Sequence, residues 1–180
     1  MNFDSFSHGQ VLSKIWLCEQ LEPFLPLQPN IVNLGGWYNV LGFMLKVRNP
    51  KRNLKITNVD ADPETQLISN AVTNAWSDSV RHITADANEF RLRDYNVVIN
   101  CSAEHFDSAK WFDEIAPGSL VCIQSSNVDD IEHPWLVKLP NPDLATFLRR
   151  YPLANTYFSD EMYFDYESWG YSRFMLIGRK

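Results

Sequence analysis

The chain has 180 residues and a mass of 20.9 kDa, the size of one domain or little more. Hydrophobic residues make up 45%, which supports a sizeable core and excludes a globally disordered chain. The 22 acidic and 16 basic side chains leave a net charge of −6, a balance that argues against a dedicated nucleic-acid coat.

Ser7 and Gln10 have the spacing of a capping box. Val11, Leu12, Ile15, Trp16 and Leu21 then recur at helical intervals and predict one apolar face. Pro23 and Pro26 stop this helix, so residues 1–26 read as an N-terminal helical segment and residues 30–180 as the core of a single domain, 1–180. Residues 31–34 are a short apolar strand ending at Gly35-Gly36. Val40, Leu41, Met44, Leu45 and Val47 follow at helical spacing until Asn49-Pro50. A second strand over 54–59 ends at Asp60, after which Asp62 and Pro63 suit the N-cap and first position of a helix. Its expected buried face is Leu67, Ile68, Ala71, Val72 and Ala75. The third strand spans 80–84 and leads to Asp86. The fourth spans 95–100 and opens into the polar loop 101–105. A helix with Trp111, Phe112 and Ile115, a fifth strand over 120–123, a short helix over 144–150 and two strands over 156–164 and 171–178 complete the order.

Strands that alternate with helices demand a mostly parallel sheet covered on both faces, the α/β class. Ligands bind such sheets outside the carboxyl ends of the strands. Those ends carry Gly35-Gly36, Asp60, Asp86 and the segment 100–105. A glycine turn allows close approach to the backbone, and the helix that follows offers free N–H donors. An acidic group closing the second strand can accept from both hydroxyls of a ribose, and a polar group after the third can meet an adenine amine. The frame Gly35-Gly36-Trp37-Tyr38-Asn39-Val40 lacks the second and third glycines that a pyrophosphate needs. An adenosine-like ligand without phosphates therefore fits better than a dinucleotide.

With these residues in order, the sequence resembles the class I S-adenosylmethionine-dependent methyltransferases. Ile31-Val32-Asn33-Leu34-Gly35-Gly36 looks like the family's first motif, Val59-Asp60-Ala61-Asp62-Pro63-Glu64 its second and Thr84-Ala85-Asp86-Ala87 its third. Asn96-Val97-Val98-Ile99-Asn100 with Glu104-His105-Phe106 resembles the fourth. Ile115-Ala116-Pro117-Gly118-Ser119-Leu120-Val121 is similar to the turn into the fifth strand, and Phe174-Met175-Leu176-Ile177-Gly178-Arg179-Lys180 to the last strand. The resemblance implies a three-layer α/β/α Rossmann-like fold, with a mostly parallel seven-stranded sheet whose last strand is antiparallel. It implies S-adenosyl-L-methionine as cofactor: Asn33, Gly35, Gly36 and Trp37 beside its amino-acid part, Asp60 and Ala61 at the ribose, Asp86 and Ala87 at the adenine. Asn100, Glu104 and His105 would line the side where the methyl group meets its acceptor, with Asn100 also touching the cofactor. The family usually carries an acidic residue where this chain has Asn33, and glycines in place of Trp37 and Asn39.

The expected activity is transfer of a methyl group to an unidentified acceptor, a small molecule or a protein. The alternative is a catalytically inactive scaffold or cofactor-sensing partner protein. An exposed aromatic patch drawn from Tyr157, Phe158, Tyr163, Phe164, Tyr166, Trp169 and Tyr171, with Trp37 filling the pocket, would mark that alternative. No Cys/His cluster has metal-ligand spacing and there is no G-x-S-x-G elbow, so no metal is expected. His8 is a further candidate over the cofactor, whereas His82 and His133 carry no argument. Asp129-Asp130 and Asp160-Glu161 read as solvated loops, and Lys46, Arg48, Lys51, Arg52 and Lys55 as a solvated helix end. Cys18, Cys101 and Cys122 read as buried thiols of a reducing compartment. No apolar run approaches the ~20 residues of a membrane span, and the first residues lack a secretion signal. A cytoplasmic location is expected.

Overall fold

Parallel strands need long crossovers, and the order of this chain supplies them. The computed structural model describes residues 6–128, 136–166 and 169–180, so Asp129, Asp130 and His133 lie outside the described residues. The elements in order are α1 (His8–Leu21), β1 (Asn30–Leu34), α2 (Val40–Arg48), β2 (Lys55–Asp60), α3 (Thr65–Val72), β3 (Val80–Thr84) and β4 (Val97–Asn100). There follow α4 (Lys110–Asp113), β5 (Leu120–Ser126), α5 (Leu144–Arg150), β6 (Asn155–Tyr166) and β7 (Trp169–Arg179). One seven-stranded sheet has the order β3-β2-β1-β4-β5-β7-β6. The first five strands pair in parallel, and β7 runs antiparallel to both β5 and β6. Strand order reverses between β1 and β4, which opens a crevice at their carboxyl ends.

Strand alternation divides the core into two layers. Ile31, Val97, Ile99, Cys122 and Ile177 meet Leu17, Leu21, Leu41 and Leu45 of α1 and α2 on one face. Val32, Leu34, Val98, Val121 and Ile123 meet Trp111, Phe112, Phe147 and Tyr151, from α4, α5 and the residue after α5, on the other. The strands β5 and β7 run longer than their apolar patterns. Gln124, Ser125 and Ser126 are polar yet fully paired with Met175, Phe174 and Arg173, because the antiparallel neighbour continues past the apolar run.

Several local expectations change. Ser7 sits at the N-cap of α1, but its side chain makes no capping bond. Gln10 Oε1 instead accepts from Lys14 Nζ at 2.6 Å. The buried face of α1 is Gly9, Ser13, Trp16, Leu17, Cys18 and Leu21, rotated from the face the apolar spacing suggested, and Leu12 is exposed. In α2, Asn39 caps from the left-handed region (φ 56°), its side chain accepting from the Gly42 N–H, a conformation Asn tolerates. Lys46 is buried with Nζ donating to Leu54 O at 2.9 Å, while Val47 faces solvent. Asp62 Oδ1 accepts from the Glu64 N–H, yet regular helix begins only at Thr65. The buried face of α3 is polar: Thr65, Ser69 and Thr73 point inward, whereas Leu67 is exposed.

The hairpin of β6 and β7 reaches beyond β5. Phe164, Tyr166, Trp169 and Tyr171 stack there, with Tyr166 and Trp169 centroids 4.8 Å apart and planes 6° from parallel. A Cβ on Gly9 would overlap the hydroxyls of Tyr166 and Tyr171. The aromatic ladder thus seats the first turn of α1, and a side chain at Gly9 would have to displace the two tyrosine hydroxyls.

Burial raises the thiols of Cys18 to about 12 and Cys101 to about 11, which keeps both protonated and unreactive. His82 behaves oppositely. Desolvation lowers its pKa, its Nε2 meets Thr73 Oγ1 at 3.0 Å, and its buried Nδ1 has no partner. The unfolded chain therefore binds the proton more tightly, so stability rises with pH through this window. It should fall as pH drops below the ordinary histidine range. Urea titrations at pH 7.5 and 5.5 check this: His82→Gln should lose part of the acid destabilisation, and an unchanged pH dependence would remove His82 as its source.

Candidate functional site

A cleft of about 640 Å³ lies at the carboxyl ends of β1 to β4, within the range of small-ligand sites. Its walls come from six places. The glycine turn contributes Asn33, Gly35, Gly36, Trp37 and Tyr38. The end of β2 contributes Asp60, Ala61 and Asp62, and the turn after β3 contributes Asp86, Ala87 and Asn88. The loop after β4 contributes Cys101, Ser102, His105, Phe106 and Asp107. Gln10 and Lys14 of α1, with Leu136 and Lys138, close the mouth.

The turn after β1 is built for close approach. Gly35 has φ 59° and Trp37 φ 48°, so a residue other than glycine accepts a strained conformation immediately beside the cleft. A Cβ at Gly36 would overlap the side chains of Asn33 and Asn58. Three asparagines support the turn from beneath. Asn33 Nδ2 donates to Asn58 Oδ1 at 2.9 Å, Asn58 Nδ2 donates to Trp37 O at 3.1 Å, and Asn39 caps α2. Asn33 Oδ1 and Asn39 Nδ2 are buried and have no partner. Asn33 lines the cleft, but its orphan oxygen is buried within the asparagine cluster beneath the turn.

Asp60 joins the two halves of the wall. Its Oδ2 accepts from the Trp37 N–H at 2.8 Å and its Oδ1 from the Asp62 N–H at 3.0 Å. Desolvation raises its pKa, and these two N–H donors oppose the rise. Each carboxylate oxygen retains a second lone pair for a ligand. Asp86 Oδ1 accepts from the Asn88 N–H at 2.8 Å, which fixes the turn before buried Ala87. Trp37 stacks on Tyr38 at 4.9 Å and forms part of the wall, leaving the cleft open.

On the opposite side, His105 Nδ1 faces the carbonyl oxygen of Leu136. A carbonyl only accepts, so Nδ1 is the donor in this contact. Lys138 Nζ pairs with Asp107 at 2.6 Å, and the N–H groups of Lys138 and Leu139 donate to Glu104 O. The residues from 136 are thereby fastened to the loop after β4. The Phe106 ring lies against Gly35, 3.0 Å from where a Cβ would sit.

The structure brings Asn33, Gly35, Gly36, Trp37, Asp60, Ala61, Asp86, Ala87 and His105 to one cleft. Asn100 and Glu104 stand outside its lining. Asn100 is fully buried, with Oδ1 accepting from the Ser102 N–H at 2.9 Å, and shapes the loop. Glu104 is buried, its Oε1 accepting from Ser126 Oγ at 2.9 Å and standing 3.7 Å from Arg173 Nη2 and 4.0 Å from His105 Nε2. His8 is exposed and does not line the cleft. Sequence reasoning missed Gln10 and Lys14; their i, i+4 spacing on the polar side of α1 was the available signal. Leu136 and Lys138 arrive from a distant segment, and no local pattern marks them.

No family model matches the sequence, and no curated protein does either. Solved structures match closely in shape. The N-methyltransferase NodS of Bradyrhizobium japonicum WM9, in complex with S-adenosyl-L-homocysteine, superposes with a TM-score of 0.70 at 12% identity, over 97% of this chain and 89% of that one. Geranyl diphosphate methyltransferase, in complex with GPP and sinefungin, gives 0.73 at 12% identity over 94% and 78%. The [4+2]-cyclase SpnF gives 0.72 at 12% over 98% and 84%, which shows that this architecture hosts more than one chemistry. The protein has the Rossmann-like fold of the class I S-adenosylmethionine-dependent methyltransferases.

Proposed function

We propose that the protein is an S-adenosylmethionine-dependent methyltransferase acting on a small-molecule or protein acceptor, as one unit over residues 1–180 in the cytoplasm. The observation that carries this reading is the open cleft at the carboxyl edge of the sheet, bounded by Asp60 and Asp86 and lined by Gly35 and Gly36. Two proteins of the same fold were solved with S-adenosyl-L-homocysteine or sinefungin, which supports the choice of cofactor. The residues present fit it. Gly35 and Gly36 line the part of the cleft that would take its amino-acid part, with Asn33 beside them. Asp60 accepts from the ribose hydroxyls, while Asp86 and Ala87 border the adenine. The bound cofactor supplies an electrophilic methyl group that an acceptor lone pair displaces in line.

The remaining work belongs to the chain. Positioning dominates, because a reactive methyl donor needs alignment more than activation. The α1 segment and residues 136–138 narrow the mouth and exclude water. His105 Nε2 is the group able to take a proton from a hydroxyl or ammonium acceptor. Glu104 and Asn100 act as positioning residues of its loop. The scaffold alternative loses support because Trp37 lines the cleft without filling it; of its aromatic set, Phe164, Tyr166 and Tyr171 pack on one another and on α1, while Tyr157, Tyr163 and Trp169 stay exposed.

Calorimetry with S-adenosylmethionine and S-adenosyl-L-homocysteine tests the reading, and absence of binding at millimolar ligand would overturn it. The binding should also weaken on acidification. Burial makes Asp60 hold its proton at a higher pH than an ordinary aspartate, and a protonated carboxyl loses accepting capacity. On acidification affinity should therefore begin to fall at a higher pH than an ordinary aspartate would dictate, with Asp60→Asn giving a flatter and weaker profile. A wild-type profile as flat as the variant's would contradict the role of Asp60.

A further inference from the structure

The orientation of α3 leaves an apolar surface uncovered. Ser69 Oγ donates to Trp37 O at 2.7 Å, and Thr73 Oγ1 meets His82 Nε2, so the polar side of the helix is anchored inward. On one flank Gln66 Oε1 accepts from Thr84 Oγ1 of β3. The flank carrying Leu67, Ile68, Ala71 and Val72 therefore turns towards α2 and solvent. Leu67 is 80% exposed. Phe43 and Val47, one turn apart on α2, are 40% and 52% exposed, and Phe43 stands edge-on to Trp76 at 5.6 Å. An apolar groove runs between the two helices, and water contact there forgoes the free energy that burial would return.

We propose that this groove is the interface of a homodimer, covered by a second copy of the chain. The charges at its two ends select that occupant. Both helices connect consecutive parallel strands, so both run from the carboxyl edge of the sheet to its amino edge. Exposed Asp62 and Glu64 stand at the carboxyl edge, just before α3. Exposed Lys51, Arg52 and Lys55 stand at the amino edge, just after α2. None of these five forms an ion pair among the described residues. A two-fold axis across the groove lays each acidic end on the basic end of the other copy, with Leu67, Phe43 and Val47 between them. The patch is self-complementary, as an isologous contact requires. Opposite charges at both ends also offset the repulsion between two chains of net charge −6.

Light scattering and sedimentation of the full chain across a micromolar concentration range test this. The expected mass is twice the 20.9 kDa chain, with dissociation favoured by salt. Leu67→Glu and, separately, Val47→Glu should weaken association roughly tenfold or more while the far-ultraviolet dichroism stays native, since both side chains already face water. Glu64→Lys should weaken it, and the Glu64→Lys/Lys51→Glu exchange should restore it. A monomer at every concentration would overturn the proposal. So would a dimer indifferent to Leu67→Glu and Glu64→Lys, which would place the contact elsewhere, or an exchange variant no tighter than Glu64→Lys.

Discussion

Asp60→Ala is expected to weaken S-adenosyl-L-homocysteine binding about ten- to a hundredfold, the loss of charge-assisted hydrogen bonds worth about 1.5–3 kcal/mol each. Its carboxylate is held by the Trp37 and Asp62 N–H groups at 2.8 and 3.0 Å, so its lone pairs reach the cleft already aimed. The raised pKa shows that desolvation outweighs those two bonds. Folding therefore gains little from this charge, and global stability should change far less than ligand affinity. Asp62→Ala is the control, because Asp62 offers the ligand only a rim position and caps the Glu64 N–H. Calorimetry and urea denaturation on the same variants separate the two effects. Unchanged affinity in Asp60→Ala would remove Asp60 from the site.

Glu104→Ala is expected to destabilise the fold by about 3–5 kcal/mol, because it strands the buried Arg173 cation. Glu104 and Arg173 are 1% and 6% exposed. Arg173 Nη1 donates to Cys101 O at 3.0 Å, and its guanidinium lies over the Tyr171 ring. Glu104 Oε2 and Arg173 Nε have no partner, so the pair is an expensive one whose halves depend on each other. Glu104→Gln should cost less, since the Ser126 bond can persist. Glu104→Gln with Arg173→Met should recover much of the loss. Guanidinium denaturation reads all three. A Glu104→Ala variant as stable as wild type would mean that the carboxylate is not the partner of Arg173.

The sheet was legible in the sequence because buried parallel strands are continuous apolar runs, and 31–34, 54–59 and 120–123 sit where β1, β2 and β5 form. The cofactor side was legible for a related reason. Gly35-Gly36, Asp60 and Asp86 each end a strand, and topology alone carries strand ends to a common edge. The face of α3 was not legible. Apolar spacing predicts that Leu67 and Ala71 turn inward, but Ser69 and Thr73 find buried partners in Trp37 O and His82, contacts that no local pattern announces. Glu104 beside His105 read as an active-site pair, and Glu104 Oε1 does stand 4.0 Å from His105 Nε2. His105 lines the cleft, but the carboxylate is buried outside the lining, where the same oxygen also faces Arg173, 69 positions on. The mouth was hidden for a topological reason, since Leu136 and Lys138 reach it only through bonds to the loop after β4.

The most direct measurement is a crystal structure grown with S-adenosyl-L-homocysteine. The ligand should lie in the cleft, with its ribose hydroxyls on Asp60, its adenine beside Asp86 and Ala87, and its amino-acid part beside Gly35 and Gly36. A cleft without ligand density at saturating concentration, or a ligand seated away from Asp60, would contradict the methyltransferase reading.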